Sequence, residues 1–514
     1  MKTVAPLRFP NTSYSFVTWG VKPDSGGLTV TLLHRAGIMS QAGAGHIDVL
    51  TFDNVPNYDE IERELRQMGR IFGDVSLVNI WDDLRTRKIA APTKPARTDV
   101  LIPIADDDDY ESTFRNGREI SRTRFVGDTV TALQIDYYRE DGSLLASDRR
   151  DVKNRGTVGG RWITLCDETG TPIRSWSKAT AFYHYVLDRL RAGGKTTYLV
   201  DSKTTANFMA EYRRKDALVV HIIQGSHYDG HTPDGRLILN DARSKNMQNL
   251  FQFDLVATLT KRQKKDITAL VGASPNVAVI PNSVPLPDPA SITKERDVAR
   301  GVVIAAFVPR KRVPLAIQAA ALAHTTAEIH LDVYGDGAED RPAVEAAVAS
   351  AEAQDFITLR GYSTEALAHT RTASFILITS ETEGTPLVLL EGMAAGCIPI
   401  SFDIPYGPSD VISHGKNGFL IPDGDVDAMA RAIIELQNMP EEKVLAMRSA
   451  AMDAVTGFSD AAVLELWAKN LTKAWRRKES PVWKLLRRRQ EKNATKAFAR
   501  SNPEIAPKPA ALKR

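Results

Sequence analysis

From Val302 onward the chain alternates short β-branched runs with helical stretches, and a chain patterned this way is confined to parallel βαβ units. "GVVIAAF" reads as a strand, "VPLAIQAAALAHTT" as a helix, and "EIHLDVYGDG" as a strand with a glycine-rich exit. "AVEAAVASAEAQ" is helical, "FITLRGY" a strand, "ALAHTRTA" a short helical stretch and "SFILITS" a strand. "CIPISFD" and "NGFLIP" follow as strands, and "DVDAMARAIIELQNM" starts at an Asp cap with apolar residues at helical spacing. In such a doubly wound half, ligands bind beyond the carboxyl ends of the strands.

The first half repeats the alternation with weaker signals. "SYSFVTWG", "HIDVLTFD", "ALVVHIIQGSH", "FDLVATLT" and "VAVIPNSV" read as strands; "GGLTVTLLHRAGIMSQAG" is a loop running into a helix, and "TKRQKKDITALV" a helix. At 514 residues the chain exceeds what one hydrophobic core supports, so two domains are expected, joined through the proline-rich "PNSVPLPDPAS". Between about 110 and 180 the periodicity changes to two, around "EDG" and "ETG" turns, which predicts an antiparallel meander inserted in the first domain. An insert of that kind without catalytic clusters reads as an oligomerisation or recognition module. The expected organisation is a first domain of residues 1–109 and 181–284, an insert over 110–180, a second domain over 285–455, a helix crossing back over 456–475 and a tail over 476–514.

The tail is where composition matters. The formal net charge is only +3, yet Lys469 to Arg514 carry 15 Lys/Arg against 3 Asp/Glu. Trp475 and Trp483 lie among those cations. One reading is a solvated tail; the other is an arm touching anionic lipid headgroups or a polyanion, with the tryptophans at the interface. Nucleic acid is not an expected partner. Cys166 and Cys397 stand far apart without the neighbours of a metal site, which suits a reduced, cytoplasmic setting. No His/Cys/Asp cluster has metal-ligand spacing. The opening "MKTVAPLRFPNTSYSF" lacks the apolar core of a signal peptide, and no apolar run reaches the length of a spanning helix.

The chemistry centres on "SETEGTPLVLLEGMAAGCIP". A strand ending at Ser380 passes into a helix expected to start near Pro386, and a helix N-terminus offers unpaired N–H groups and a positive dipole end to phosphate. Gly384 allows close approach to the backbone, and Thr385 is expected to cap. Glu391 can point back to accept hydroxyl hydrogen bonds, as from a ribose, whereas Glu383 stands nearer a reacting centre. The competing reading makes Glu383 a cap and Glu391 half of a surface pair, and the doublet alone does not displace it. Arg310, Lys311 and Arg312 follow a strand aimed at the same edge; they either neutralise a diphosphate or form a solvated turn, and the nearby helix N-terminus favours the diphosphate. Of the histidines in "HIIQGSHYDGH", His221 is expected to be packed and His227, past the strand end, to face a cleft.

"SETEGTPLVLLEGMAAGCIPISFDIPYGPSDVISHGKNGFLIP" resembles the donor-binding signature of retaining glycosyltransferases of family 4. It has two glutamates separated by seven residues, then G-x-P-I and YGP…G-x-N-G-x-L-I-P. The similarity runs through "VAVIPNSV", "RKRVPLAIQAA" and "LDVYGDG" and covers most of 210–440. "SGGLTVTLLHRAGIMSQAG" and the insert with "YYREDGSLL" are similar to the branch that glycosylates wall teichoic acid; a related branch adds N-acetylglucosamine to serine-rich adhesins. The resemblance implies a GT-B fold, two doubly wound Rossmann-like α/β domains facing a cleft, the first of them acceptor-side and carrying the antiparallel insert.

It also implies a metal-independent, retaining hexosyltransferase using a nucleotide-sugar, UDP-linked, and no cofactor. Lys311, with Arg310 and Arg312 beside it, and the amides of Gly384 and Thr385 would hold the diphosphate; Pro386 and Leu387 complete that turn. Glu391 would bind the ribose, Glu383 the donor sugar, Gly26 and Gly27 the phosphate-side loop, and His227 would sit near the anomeric carbon. The expected product is glucose or N-acetylglucosamine on a teichoic acid-like polyol phosphate, made by a cytoplasmic homo-oligomer peripheral to the membrane. One position departs from the pattern: Ala306 stands where the family carries an arginine five residues before the lysine. That departure keeps open a second reading, a non-catalytic GT-B subunit that supports a partner; a third, apart from it, is an enzyme for a serine-rich protein acceptor gripped by the sheet insert.

Overall fold

A computed structural model of the chain describes residues 7–24, 26–87, 101–127, 129–191, 193–231, 237–272, 274, 276–288, 296–482, 496 and 498. They gather into two compact units, one of residues 10–220 and the other of residues 1–9 with 221–514.

In the first unit four parallel strands lie in the order Thr196–Val200, Ser13–Val17, Ile47–Thr51 and Val75–Asn79. Their β-branched and aromatic residues, among them Tyr14, Phe16, Val49 and Leu199, are buried on the sheet faces. The helix Gly27–Met39 packs there and carries a buried Arg35, whose guanidinium donates to both oxygens of Asp201 at 3.0 Å. A charge buried this deeply is tolerated only when so paired.

The period-two segment forms six antiparallel strands in sequence order, from Glu111–Arg115 to Pro172–Trp176. Tyr137 of this sheet stacks on Trp81 of the helix Ile80–Thr86, ring centroids 3.7 Å apart, which ties the insert to the parallel layer of its own unit. A buried carboxylate, Asp151, accepts from Arg124, Arg149 and the Gly156 amide, each at 2.8 Å. These bonds hold its carboxyl down at about 2 against the opposing effect of burial.

In the second unit six parallel strands run in the order Ile357–Gly361, His330–Tyr334, Arg300–Ile304, Phe375–Ile378, Ile398–Phe402 and Phe419–Ile421. One face is covered by the helices Val313–His324, Arg341–Ser350 and Val426–Gln437 and the other by Leu387–Ala394, while Glu441–Ala454 contributes Val444 and Met447 to the first core and Ala451 to the second. The Asp cap expected for the helix at 426 is present, the Asp425 carboxylate accepting from the Ala428 amide at 2.8 Å. The same unit holds the parallel strands Leu255–Thr258 and Val277–Val279 and, between them, the helix Lys261–Val271.

The C-terminal helix spans Asp460–Glu479 and packs on the strand Leu255–Thr258, with the Lys478 ammonium donating to Asp254 at 2.8 Å. Trp475 is 5 % exposed in this helix, which corrects the expectation that it meets lipid: its neighbours in sequence are cations, but its own helical face is core. Trp483 and most of the basic tail lie outside the described residues, as does part of the proline-rich segment expected to join the domains. Among the described residues no helix is long and apolar enough to cross a membrane.

Candidate active site

The strand Phe375–Ile378 leads into a turn that ends at Pro386, and the helix Leu387–Ala394 begins directly after it. Proline is suited to this place because its missing N–H costs nothing there. The expected Thr385 cap is not formed. No side chain caps this helix, and the Thr385 hydroxyl is buried with no hydrogen-bond partner among the described residues. Nor does any described hydrogen bond begin at the amides of Gly384, Thr385, Leu387 or Val388. Gly384 and Thr385 are buried residues, so their unpaired amides and the Thr385 hydroxyl carry a cost, whereas Leu387 and Val388 offer the first-turn amides that no helix satisfies internally.

Two glycines set this turn. A Cβ on Gly384 would lie 2.1 Å from the carbonyl oxygen of Gln224, so the turn is pressed against the segment that follows the strand Ala217–Ile223. Gly407, with φ of +106°, packs its Cα face on Pro386, where a Cβ would stand 2.4 Å from Cδ. Between them Glu383 and Tyr406 pair through their backbones: the Glu383 amide donates to the Pro405 carbonyl at 3.0 Å and the Tyr406 amide to the Glu383 carbonyl at 3.1 Å.

The three cations after the strand Arg300–Ile304 have separate fates. Lys311, on the single turn Pro309–Lys311, donates from Nζ to the Glu383 carboxylate, both side chains largely buried. Arg310 is half exposed and brings Nη1 to 3.9 Å from the other Glu383 oxygen. Arg312 turns into the frame: its guanidinium donates to the carbonyls of Thr379 at 2.9 Å and Ser380 at 2.8 Å and pairs with Asp423. Its donors are spent on the carboxyl end of the strand Phe375–Ile378. Ala306 is exposed.

His227, expected past the strand end to face a cleft, is fully buried, with two aromatic rings packed against it. It stacks parallel to Tyr406, centroids 5.9 Å apart, and meets Tyr228 edge-on at 5.3 Å. Its Nδ1 lies 3.4 Å from the Tyr406 hydroxyl, while Nε2 has no partner among the described residues. Burial, and then the nearby Arg243 cation, push the imidazole down to about 4, so it is neutral at pH 7. The Tyr406 hydroxyl donates to Asp266 at 2.9 Å, and Asp410 caps the same helix by accepting from the Lys261 amide at 2.9 Å.

Glu383, Lys311, Arg310, Gly384, Thr385, Pro386 and His227 therefore belong to one neighbourhood of one unit. Glu391 sits half-buried further along the helix Leu387–Ala394. Gly26 and Gly27 belong to the other unit, at the start of the helix Gly27–Met39, where a Cβ on either would meet nothing within 4 Å. His221 is packed as expected, stacked on Phe253 at 4.9 Å. Tyr406, Asp266 and Arg243 were not singled out from the sequence. Tyr406 stands inside the quoted "YGP" and was within reach of that signal; Asp266 and Arg243 sit in polar helical stretches that give none.

Residues 299–439 match the family described as Glycosyl transferases group 1. The chain is 23% identical over 492 residues to the poly(ribitol-phosphate) alpha-N-acetylglucosaminyltransferase of Staphylococcus aureus (strain COL), covering 86% of this chain and 96% of that one. It is 24% identical over 510 residues to the UDP-N-acetylglucosamine–peptide N-acetylglucosaminyltransferase GtfA subunit of Streptococcus pneumoniae serotype 4, covering 88% of this chain and 98% of that one. Among solved structures, S. aureus TarM (G117R mutant, with fondaparinux, alpha-GlcNAc-glycerol and UDP) superimposes with a TM-score of 0.69 at 21% identity, over 90% of this chain and 99% of that one. The fold is GT-B, with parallel α/β sheets and one antiparallel sheet.

Proposed function

We propose that this chain is a retaining glycosyltransferase of family 4 that moves a hexose, N-acetylglucosamine or glucose, from a UDP-linked donor to a polyol-phosphate polymer. The observation that carries the reading is the set of unspent amides at Gly384, Thr385, Leu387 and Val388 beside the Lys311 ammonium. That set suits a diphosphate, with Arg310 as a second cation at the rim. In this reading Glu391 takes the ribose hydroxyls and Glu383, held by Lys311, takes the donor sugar. Gly26 and Gly27 form the phosphate-side loop.

As the bond between the anomeric carbon and the diphosphate breaks, negative charge grows on the leaving phosphate. Lys311 and the helix N-terminus stabilise that charge, a contribution of about 10²–10³ in rate for one well-aimed donor. The acceptor hydroxyl enters on the face the phosphate leaves, and a phosphate oxygen takes its proton. His227, neutral at pH 7, then bounds the sugar site without adding a charge that would oppose a developing oxocarbenium ion. In this reading Lys311 and the helix N-terminus, rather than a metal ion, carry the first share of the leaving group's charge.

The similarity to the GtfA subunit along nearly its whole length favours a second acceptor class, a serine-rich polypeptide. The antiparallel insert would then grip an extended peptide, whereas in the first reading it joins copies of the chain or holds the polymer. The basic tail would keep either enzyme at an anionic membrane surface on the cytoplasmic side. One experiment separates these readings. The protein is incubated with UDP-glucose or UDP-N-acetylglucosamine and with poly(ribitol phosphate), poly(glycerol phosphate) or a serine-rich peptide. Transfer to a polyol phosphate is expected; transfer to the peptide alone would move the assignment to the second class.

A further inference from the structure

Ala306 leaves a cation missing from this site, and another cation, Arg243, has no partner among the described residues. Arg312 is committed to two carbonyls and Asp423, and Arg310 is half exposed. Arg243 differs from both. It lies in the first turn of the helix Asp241–Gln248, is largely buried, and makes no side-chain hydrogen bond or ion pair among the described residues. Burial alone pushes its guanidinium below the ordinary arginine range. A buried guanidinium left without an anion is costly, and such a group is retained where an anion arrives.

Its position is fixed by the residues already described. The cap residue of its helix, Asn240, donates its amide to the His227 carbonyl at 3.1 Å. Arg243 Nη2 lies 3.3 Å from where a Cβ on Gly225 would stand. Gly225 follows Gln224, whose carbonyl presses on Gly384, and the Gly225 carbonyl is itself held by Gln263 at 3.0 Å. The guanidinium is therefore one residue removed from the contact that seats the turn of unspent amides, and close enough to His227 to lower its basicity.

We propose that Arg243, from the segment next to the Gln224–Gly384 contact, supplies the diphosphate-binding guanidinium that position 306 lacks. This rests on the reading of the site as one for a nucleotide diphosphate and adds a specific residue to it. The site would then close its charge balance with Lys311 and Arg243.

Calorimetric titration with UDP tests it on the full chain. Arg243→Gln is expected to weaken UDP by at least about tenfold, Arg243→Lys to recover part of that loss, and uridine to bind all three alike. Ala306→Arg, at an exposed position that does not endanger folding, is expected to change UDP affinity by less than about twofold in the wild type and to restore it in Arg243→Gln. Equal UDP affinity in Arg243→Gln and wild type overturns the inference and leaves the diphosphate reading standing, provided Lys311→Ala still weakens UDP. A tenfold or larger gain from Ala306→Arg alone overturns it as well, because the diphosphate would then have been short of a cation. Failure of the wild type to bind UDP, GDP or ADP overturns the diphosphate reading, and this inference with it.

Discussion

Lys311 and Glu383 form an ion pair across the end of the strand Phe375–Ile378, with side chains only 19% and 12% exposed. Lys311→Ala therefore removes a diphosphate cation and strands a largely buried carboxylate at once. Nucleotide release should fall at least about 100-fold, and stability by about 1–3 kcal/mol. The double variant Lys311→Ala with Glu383→Ala should recover stability but not turnover, as read by urea unfolding and a nucleotide-release assay. A double variant less stable than the single one would mean the pair carries no such coupling.

Gly384 is held against a backbone carbonyl that has little freedom to retreat, at 2.1 Å from an added Cβ. Gly384→Ala should force the turn away from Gln224, at a cost of about 1–3 kcal/mol, and weaken UDP in parallel. Gly457, where a Cβ meets nothing within 4 Å, serves as the control: Gly457→Ala should leave melting temperature and UDP affinity within error.

The adjacent arginines should separate cleanly. Arg312→Ala breaks two carbonyl hydrogen bonds at the carboxyl end of a core strand and should lower stability by about 2 kcal/mol or more. Arg310→Ala, at a half-exposed rim, should leave the unfolding midpoint unchanged and weaken UDP several-fold. Thermal unfolding and calorimetry on the two variants distinguish a frame residue from a ligand residue.

His227 gives the site a pH signature. Its folded value of about 4 lies below the unfolded value near 6.5, so the unfolded chain binds more protons between those limits. The penalty is absent above about pH 6.5 and grows to about 3 kcal/mol as pH falls toward 4. Asp53 acts in the opposite sense: burial raises it to about 6, so stability is lost as pH rises from the unfolded carboxylate value through that range. The difference between wild type and His227→Gln isolates the histidine. Urea midpoints at pH 7.5 and 5 should diverge less in the variant, and equal divergence would show that His227 does not titrate there.

Much of the second unit could be read from local pattern. Strand and helix periods from Arg300 to Gln437 are strong because both sheet faces are buried, and the Asp425 cap follows from its place before an apolar helical run. The antiparallel insert was legible for a different reason, its period of two being visible between its turns. What local pattern could not carry is burial created across long chain separations. His227 looks like a loop residue in sequence, and one of the two rings packed on it, Tyr406, comes from 179 positions away. Trp475 sits among cations but on the core side of its helix. The Lys311–Glu383 pair joins two motifs that were read separately, and it is visible only in three dimensions. Arg243 gave no signal, since a helical arginine in a polar stretch reads as solvated.

The central claim is that Glu383 and the turn that follows it act on a nucleotide-sugar. The most direct measurement is UDP release from UDP-N-acetylglucosamine or UDP-glucose in the presence of poly(ribitol phosphate), for wild type and Glu383→Ala. The account predicts release by the wild type, coupled to sugar on the polymer, and a loss of at least about 100-fold in the variant. Release that is the same in both proteins, or a wild type that neither binds nor cleaves either donor, would contradict it.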